Sequence, residues 1–287
     1  MHEVERVLQL GNRLGEGPLW SRDEGLLYWV DIEGNRFHRY RPADGSLESF
    51  DTGLPVGALA FRASGGLVMA TKKGFAFWNA QTQELTFIAD PEPDKPEARF
   101  NDGAVDRQGC FWAGTLAPGA TSSLYRLDPD LTVHTMETGI TVSNGIGWSL
   151  DDRTMYFTDT RRKMVYTYDY DAATGSIGNR RSFIYTPDEE GSPDGLTVDS
   201  EGFIWSVRWG GWKLGRFDPS GKLEREVRLP VQYPTSCAFG GDRLDELYVT
   251  SARTRVSEDQ IQAQPFAGDL FRLRLGIRGL PEPKFAG

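Results

Sequence analysis

The chain has 287 residues, 39% of them hydrophobic and 25% charged, with a formal net charge of −9 at pH 7. This is the profile of a soluble globular protein without a disorder signature, and an acidic chain with no Lys/Arg run lacks the concentrated basic face that nucleic acid or an anionic membrane requires. Cys110 and Cys237, the only cysteines, are too few and too far apart for a disulfide framework or a Cys-x-x-Cys zinc site.

The chain opens on MHEVERVLQL, a charged stretch without the apolar core of a signal peptide, and no later run reaches the roughly 20 apolar residues of a membrane span. A cytoplasmic location is the expectation. Within that opening stretch Val4 to Leu10 reads as a strand with no sheet of its own. Then a short turn running into a stiff β-branched or aromatic strand appears six times: DEGLLYWVD from Asp23, ASGGLVMAT from Ala63, DRQGCFWAGT from Asp106, DDRTMYFTDT from Asp151, DSEGFIWSV from Asp199 and DRLDELYVTS from Asp242. The starts are 40, 43, 45, 48 and 43 residues apart, the period of four-stranded propeller blades.

A second recurring piece follows each turn, an extended segment, a hairpin turn and another short strand, as in RFHRYRPADGSLESF from Arg36 and LGRFDPSGKLEREV from Leu214. Adding the strand before each opening turn gives four strands per block. The fold expected is all-β: a single six-bladed β-propeller over residues 1–287, four-stranded antiparallel blades around a central channel. Val4 to Leu10 is expected to supply the outer strand of the last blade, and Ser257 to Gln262 a helical turn or two. The last 12 residues, Gly276 to Gly287, carry two prolines and too little alternation for a strand.

Function has to come from where the copies differ. Aligned on the glycine of each innermost strand, the segments are EGPLW, VGALAF, NDGAVD, NGIGW, DGLTV and SCAFG, and one position reads Glu16, Val56, Asp102, Asn144, Asp194, Ser236. In a propeller that position faces the axis. Converging carboxylates repel one another and resist ionisation unless a cation sits among them. Glu16, Asn144 and Asp194, completed by water, suit one hard or borderline divalent ion: calcium, zinc, manganese, magnesium or ferrous iron. Against this stands the plainer explanation that Asx-Gly is a common turn dipeptide. Trp20, Trp112, Trp148 and Trp205 read as packing between blades. Trp209, followed by two glycines in RWGGWK, is a candidate to line the pocket, and Arg99 offers a donor fork for a polyhydroxylated or carboxyl-bearing substrate. The three histidines, His2, His38 and His134, are far from one another and from the candidate site, so histidine-based zinc sites and serine–histidine triads fit poorly. No nucleotide-binding glycine motif occurs.

These segments resemble the SMP-30/gluconolactonase/regucalcin-like family of six-bladed propellers: LGEGPLW with LYWVDI, RFNDGAVD with FWAGT, SNGIGWSLDDRTMYFTDT, PDGLTVDSEGFIWSV, and TSCAFGG with LYVTSAR, in that order. The resemblance implies a divalent ion held by Glu16, Asn144 and Asp194, substrate contacts from Arg99 and Asn101, Asp194 as base, and hydrolysis of a small-molecule sugar-acid lactone. Asp102, which need not hold metal, is the alternative base. One departure stands out: where the vertebrate regucalcin-like members carry a substrate-touching acid, Ala113 to Ala120 reads AGTLAPGA. Bacterial sugar lactonases are therefore the closer analogy. The rival readings are a non-catalytic calcium-binding regulatory protein and an interaction scaffold. No residue pattern speaks to the oligomeric state.

Overall fold

The computed structural model describes residues 4–287, and His2 lies outside them. Six four-stranded antiparallel sheets make up a six-bladed β-propeller. The innermost strands are Gly15–Ser21, Val56–Phe61, Arg99–Val105, Ser143–Trp148, Ser192–Val198 and Pro234–Gly240. Each pairs with the next strand in the chain through a one-residue irregularity near its start, for example between Glu16 and Leu19 and between Asn144 and Ile146. Such a bulge locally re-aims side chains. The only α-helix among the described residues, Glu258–Ile261, is capped by Ser257 in the expected stretch.

The six recurring turns have a physical cause in two blades. Asp106 Oδ1 accepts from the backbone N–H of Gln108 (3.1 Å) and Cys110 (2.9 Å), while its Oδ2 accepts from the indole Nε1 of Trp112 at 2.7 Å. Asp199 repeats this with Glu201, Phe203 and Trp205, the indole at 3.0 Å. Gly109 and Gly202 close these turns at φ +85° and +82°, where only glycine is unstrained. So the Asp-x-x-Gly-x-x-Trp copies are a lock between turn and core. Trp29, placed one step differently after its glycine, stacks on His38 instead, with centroids 5.0 Å apart. Trp20, Trp112, Trp148 and Trp205 are all buried in the cores.

Two closures complete the ring. Val4–Leu8 pairs with Leu270–Leu273, so the N-terminal strand lies at the outer edge of the sheet begun by Pro234–Gly240. The second closure runs along the end of the ring that carries the recurring turns. Gly279 bridges to Asp199, Phe285 bridges to Arg62, and Ala286 N–H donates to Gly109 O at 3.0 Å. Phe285 is fully buried in the core between the blades begun by Val56 and Arg99. Residues Leu280 to Pro283 lie across that mouth of the channel and bound a cavity of about 120 Å³.

Candidate active site

Glu16, Asn101, Asp102, Asn144 and Asp194 are polar or charged side chains on innermost strands, and none is more than 7% exposed. Pairing at the far ends of these strands sets their level: Trp20↔Leu27, Val105↔Phe111, Trp148↔Met155 and Val198↔Ile204. Strand pairing keeps the glycine-aligned register in the blade begun by Arg99: Asp102 lies opposite Gly114, the same rung as Glu16 opposite Val30 and Asn144 opposite Thr158. Asn101 is the extra residue of that blade's bulge, inserted between the paired residues Phe100 and Asp102. Asp102 also lines the cavity beneath, together with Ser236.

The glycines after these side chains are not turn residues. Gly145 and Gly195 lie inside strands with ordinary negative-side φ values. A Cβ on Gly145 would meet Leu196 N at 2.7 Å and Asp194 O at 2.8 Å, and one on Gly195 would collide with the Ser236 side chain. Asx-Gly here answers to close packing of neighbouring innermost strands around the axis. That removes the turn explanation for Asn144 and Asp194.

A hydrogen-bonded chain runs across the site. Arg99 Nη1 donates to Asn101 Oδ1 (2.7 Å), and Asn101 Nδ2 donates to Asn144 Oδ1 (2.9 Å) and to Ser143 O (2.8 Å). Asn144 Nδ2 in turn donates to Thr160 Oγ1 at 2.8 Å, which fixes its oxygen on the Asn101 side. Thr160 is a residue that sequence reasoning missed. It closes the recurring copy DDRTMYFTDT and opens the short 3-10 turn Thr160–Arg162 just past a strand, and nothing in the copy singles it out as a site residue.

The acidic members are under electrostatic pressure. Burial, then the charges of Asp194 and Asp102, holds the Glu16 carboxyl well above its ordinary range. Burial and Asp102 do the same to Asp194. Asp102 is pushed up to about 7 by burial. Glu16 receives one backbone donor, Gly17 N–H at 3.2 Å, and Asp194 Oδ1 is a buried oxygen with no hydrogen-bond partner. Buried carboxylate oxygens without donors are costly unless a cation or proton meets them. The donor set of two carboxylates and a carboxamide therefore fits a hard divalent ion. Among the described residues no group of three or more His, Cys, Asp or Glu side chains is placed to hold a metal.

Trp209 stands at the same end of the ring, paired with Ser192 two residues before Asp194. It is half-buried, its ring centroid 4.7 Å from that of Tyr233. His38, stacked on Trp29 within its own blade, and His134, paired with Asp128, take no part in the site. No helix among the described residues is long and apolar enough to cross a membrane.

The chain is similar to known proteins over its whole length. A family model described as SMP-30/Gluconolactonase/LRE-like region matches residues 14–253. The chain is 38% identical to regucalcin from Xenopus laevis over 99% of both sequences. It is 38% identical to a pentonolactonase from Haloferax volcanii over 97% of both. Among solved structures, a calcium-binding protein, regucalcin, from Agrobacterium tumefaciens superimposes with a TM-score of 0.95 at 30% identity, covering 99% of this chain and 97% of that one.

Proposed function

The chain belongs to the SMP-30/gluconolactonase/LRE-like family, and on that premise we propose that it hydrolyses a sugar-acid lactone to the free acid with the help of one divalent ion. The observation that carries this reading is the burial of Glu16, Asn144 and Asp194 on innermost strands, with Glu16 and Asp194 near enough for the charge of Asp194 to raise the Glu16 carboxyl and with Asp194 Oδ1 lacking any protein donor. Glu16, Asn144 and Asp194 would hold the ion, which when bound supplies a Lewis acid for the lactone carbonyl.

The side chains account for the rest of the reaction. A water oxygen bonds to the carbonyl carbon and gives up a proton, the ring C–O bond breaks, and the ring oxygen leaves as a hydroxyl. Asp194 is the proton acceptor in this scheme: it would hold the ion through one carboxylate oxygen and take the proton with the other, and burial and then the charge of Asp102 raise its basicity. Asp102 keeps an electrostatic part: its Oδ1 already accepts Gly103 N–H at 2.7 Å, and it borders the cavity beneath the site. Arg99, braced by Nη1 on Phe100 O and Asn101 Oδ1, orients the substrate through its remaining N–H groups. Trp209 offers an apolar wall at the rim for a sugar face.

Regucalcin names among the relatives favour a second reading, a calcium-binding regulator that uses the same oxygens. Acid release from xylono- and gluconolactones, followed in a pH-stat with chelator and with calcium, zinc, manganese, magnesium or ferrous iron restored, separates the two. A metal-dependent rate supports the lactonase; metal binding without turnover of any lactone supports the regulator.

A further inference from the structure

We propose that the substrate of this site carries an anionic group, a carboxylate or a phosphate monoester, away from its lactone ring, and that a basic cavity beside Arg99 receives it. The proposal rests on the lactonase reading above and adds the substrate class. Phe100 and Arg99 form one wall of a cavity of about 220 Å³ between the blades begun by Val56 and Arg99. Its charged lining is Lys72, Lys73, Lys95 and Arg99 against Asp90 and Glu92. Cations therefore outnumber carboxylates two to one there, although the chain as a whole carries a net charge of −9. Such a local excess focuses anions.

The partners of each charge sharpen the point. Glu92 Oε1 is taken by Lys95 Nζ at 2.7 Å and by the Tyr125 hydroxyl at 3.0 Å. Asp90 Oδ1 accepts Glu92 N–H at 2.9 Å. Lys72 and Lys73 have no carboxylate within ion-pair distance among the described residues, and both are exposed at the hairpin turn between Leu67–Thr71 and Gly74–Asn79. Arg99 spends only Nη1 on the protein, so Nε and Nη2 remain to face a ligand. Pro91, Pro93 and Pro96 stiffen the facing wall, which lowers the ordering cost of binding. No acid lies on the adjoining rim segment, residues 113–121, to cancel the charge.

Arg99 is the hinge of the inference, since it lines this cavity and also holds Asn101 of the axial site. A ring ester placed over the axial oxygens and a tail reaching past Arg99 would put the tail's anion beside the two lysines. A fork of N–H donors and two ammonium groups is the chemistry that binds carboxylate or phosphate.

The test compares kcat/KM of the metal-loaded protein for neutral glucono-δ-lactone, for 6-phosphoglucono-δ-lactone and for a hexarolactone with a free carboxylate, at low and at 0.5 M salt. The expected result is at least a roughly tenfold preference for one anionic lactone at low salt, shrinking at high salt. In a Lys72→Ala/Lys73→Ala variant with an unchanged unfolding midpoint, the anionic-to-neutral ratio should drop by a similar factor. The phosphate and carboxylate arms identify which anion is taken. Equal efficiency on neutral and anionic lactones, or a preference that survives loss of both lysines, overturns this proposal and leaves the lactonase reading standing. No turnover of any of the three overturns both.

Discussion

Asn101 Nδ2 donates to Asn144 Oδ1 at 2.9 Å while Asn101 Oδ1 accepts from Arg99 at 2.7 Å, so one carboxamide ties Arg99, the proposed substrate-orienting arginine, to a proposed metal ligand. A group that clamps both sides of a site acts on binding and on chemistry together.

Replacing Asn101 by Ala leaves Ser143 O and Asn144 Oδ1 without their donor. We expect a stability loss of about 1–3 kcal/mol, the cost of unsatisfied buried acceptors. Lactone turnover should fall roughly 100-fold, as when an orienting donor is removed. Urea unfolding and steady-state kinetics on one preparation check both numbers. Unchanged kinetics would show that the Arg99–Asn101–Asn144 chain is structural only.

Asp194→Asn and Asp102→Asn separate the two carboxylates. As the proton acceptor, Asp194 should cost about 10²–10⁴ in kcat. Asp102 acts by charge alone in this account and should cost no more than roughly tenfold, about one pKa unit of driving force. Single-turnover rates at saturating metal decide, and the reverse order would transfer the base to Asp102.

The tail that crosses the turn-bearing end is a stability element. Phe285 is fully buried, so Phe285→Ala should cost about 3–5 kcal/mol. Lys284 pairs with Asp23 at 2.5 Å on the exposed surface, and Lys284→Ala should cost less than about 1 kcal/mol. Urea midpoints of the two variants make the comparison. Equal midpoints would mean that the tail only rests on the ring.

Burial pulls His38 down to about 4, and its Nδ1 is held by Ser49 Oγ at 2.7 Å. The unfolded chain takes up this proton near pH 6.5 and the folded chain does so only near 4. The contribution is therefore complete above about 6.5 and is lost as pH falls toward 4, amounting to about 3 kcal/mol. Glu282, half-buried where the tail crosses the channel mouth and pushed up to about 7 by desolvation, works in the opposite sense: its stabilisation is present at pH below the ordinary carboxyl range and is lost as pH rises through 7. Subtracting the stability–pH curve of His38→Gln from that of the parent isolates the histidine. A flat difference between pH 4 and 6.5 would exclude it.

Much of the ring was legible because its punctuation is chemical. Asp106 and Asp199 each need a glycine and a tryptophan at set distances, so those blades announce themselves. Glu16, Asn144 and Asp194 were legible as exceptions to that pattern. The place of the bulge in the blade begun by Arg99 was not, because a bulge can fall on either side of a residue without changing composition, and only strand pairing shows that it falls on Asn101. Thr160 was hidden for another reason: it ends the copy DDRTMYFTDT, and its part in the site comes from a tertiary partner, Asn144, that the copy does not reveal. The tail escaped too, since its isolated bridges at Gly279 and Phe285 carry no alternation to read.

The central claim is that Glu16, Asn144 and Asp194 hold one divalent ion that lactone hydrolysis requires. The most direct test is to titrate chelated protein with each metal while recording acid release from xylonolactone, beside Glu16→Gln. The account predicts no enzymatic rate in chelator, a rate that rises with metal and saturates at about one equivalent per chain, and no such rise in the variant. A full rate in chelator, or a normal titration by Glu16→Gln, would contradict it.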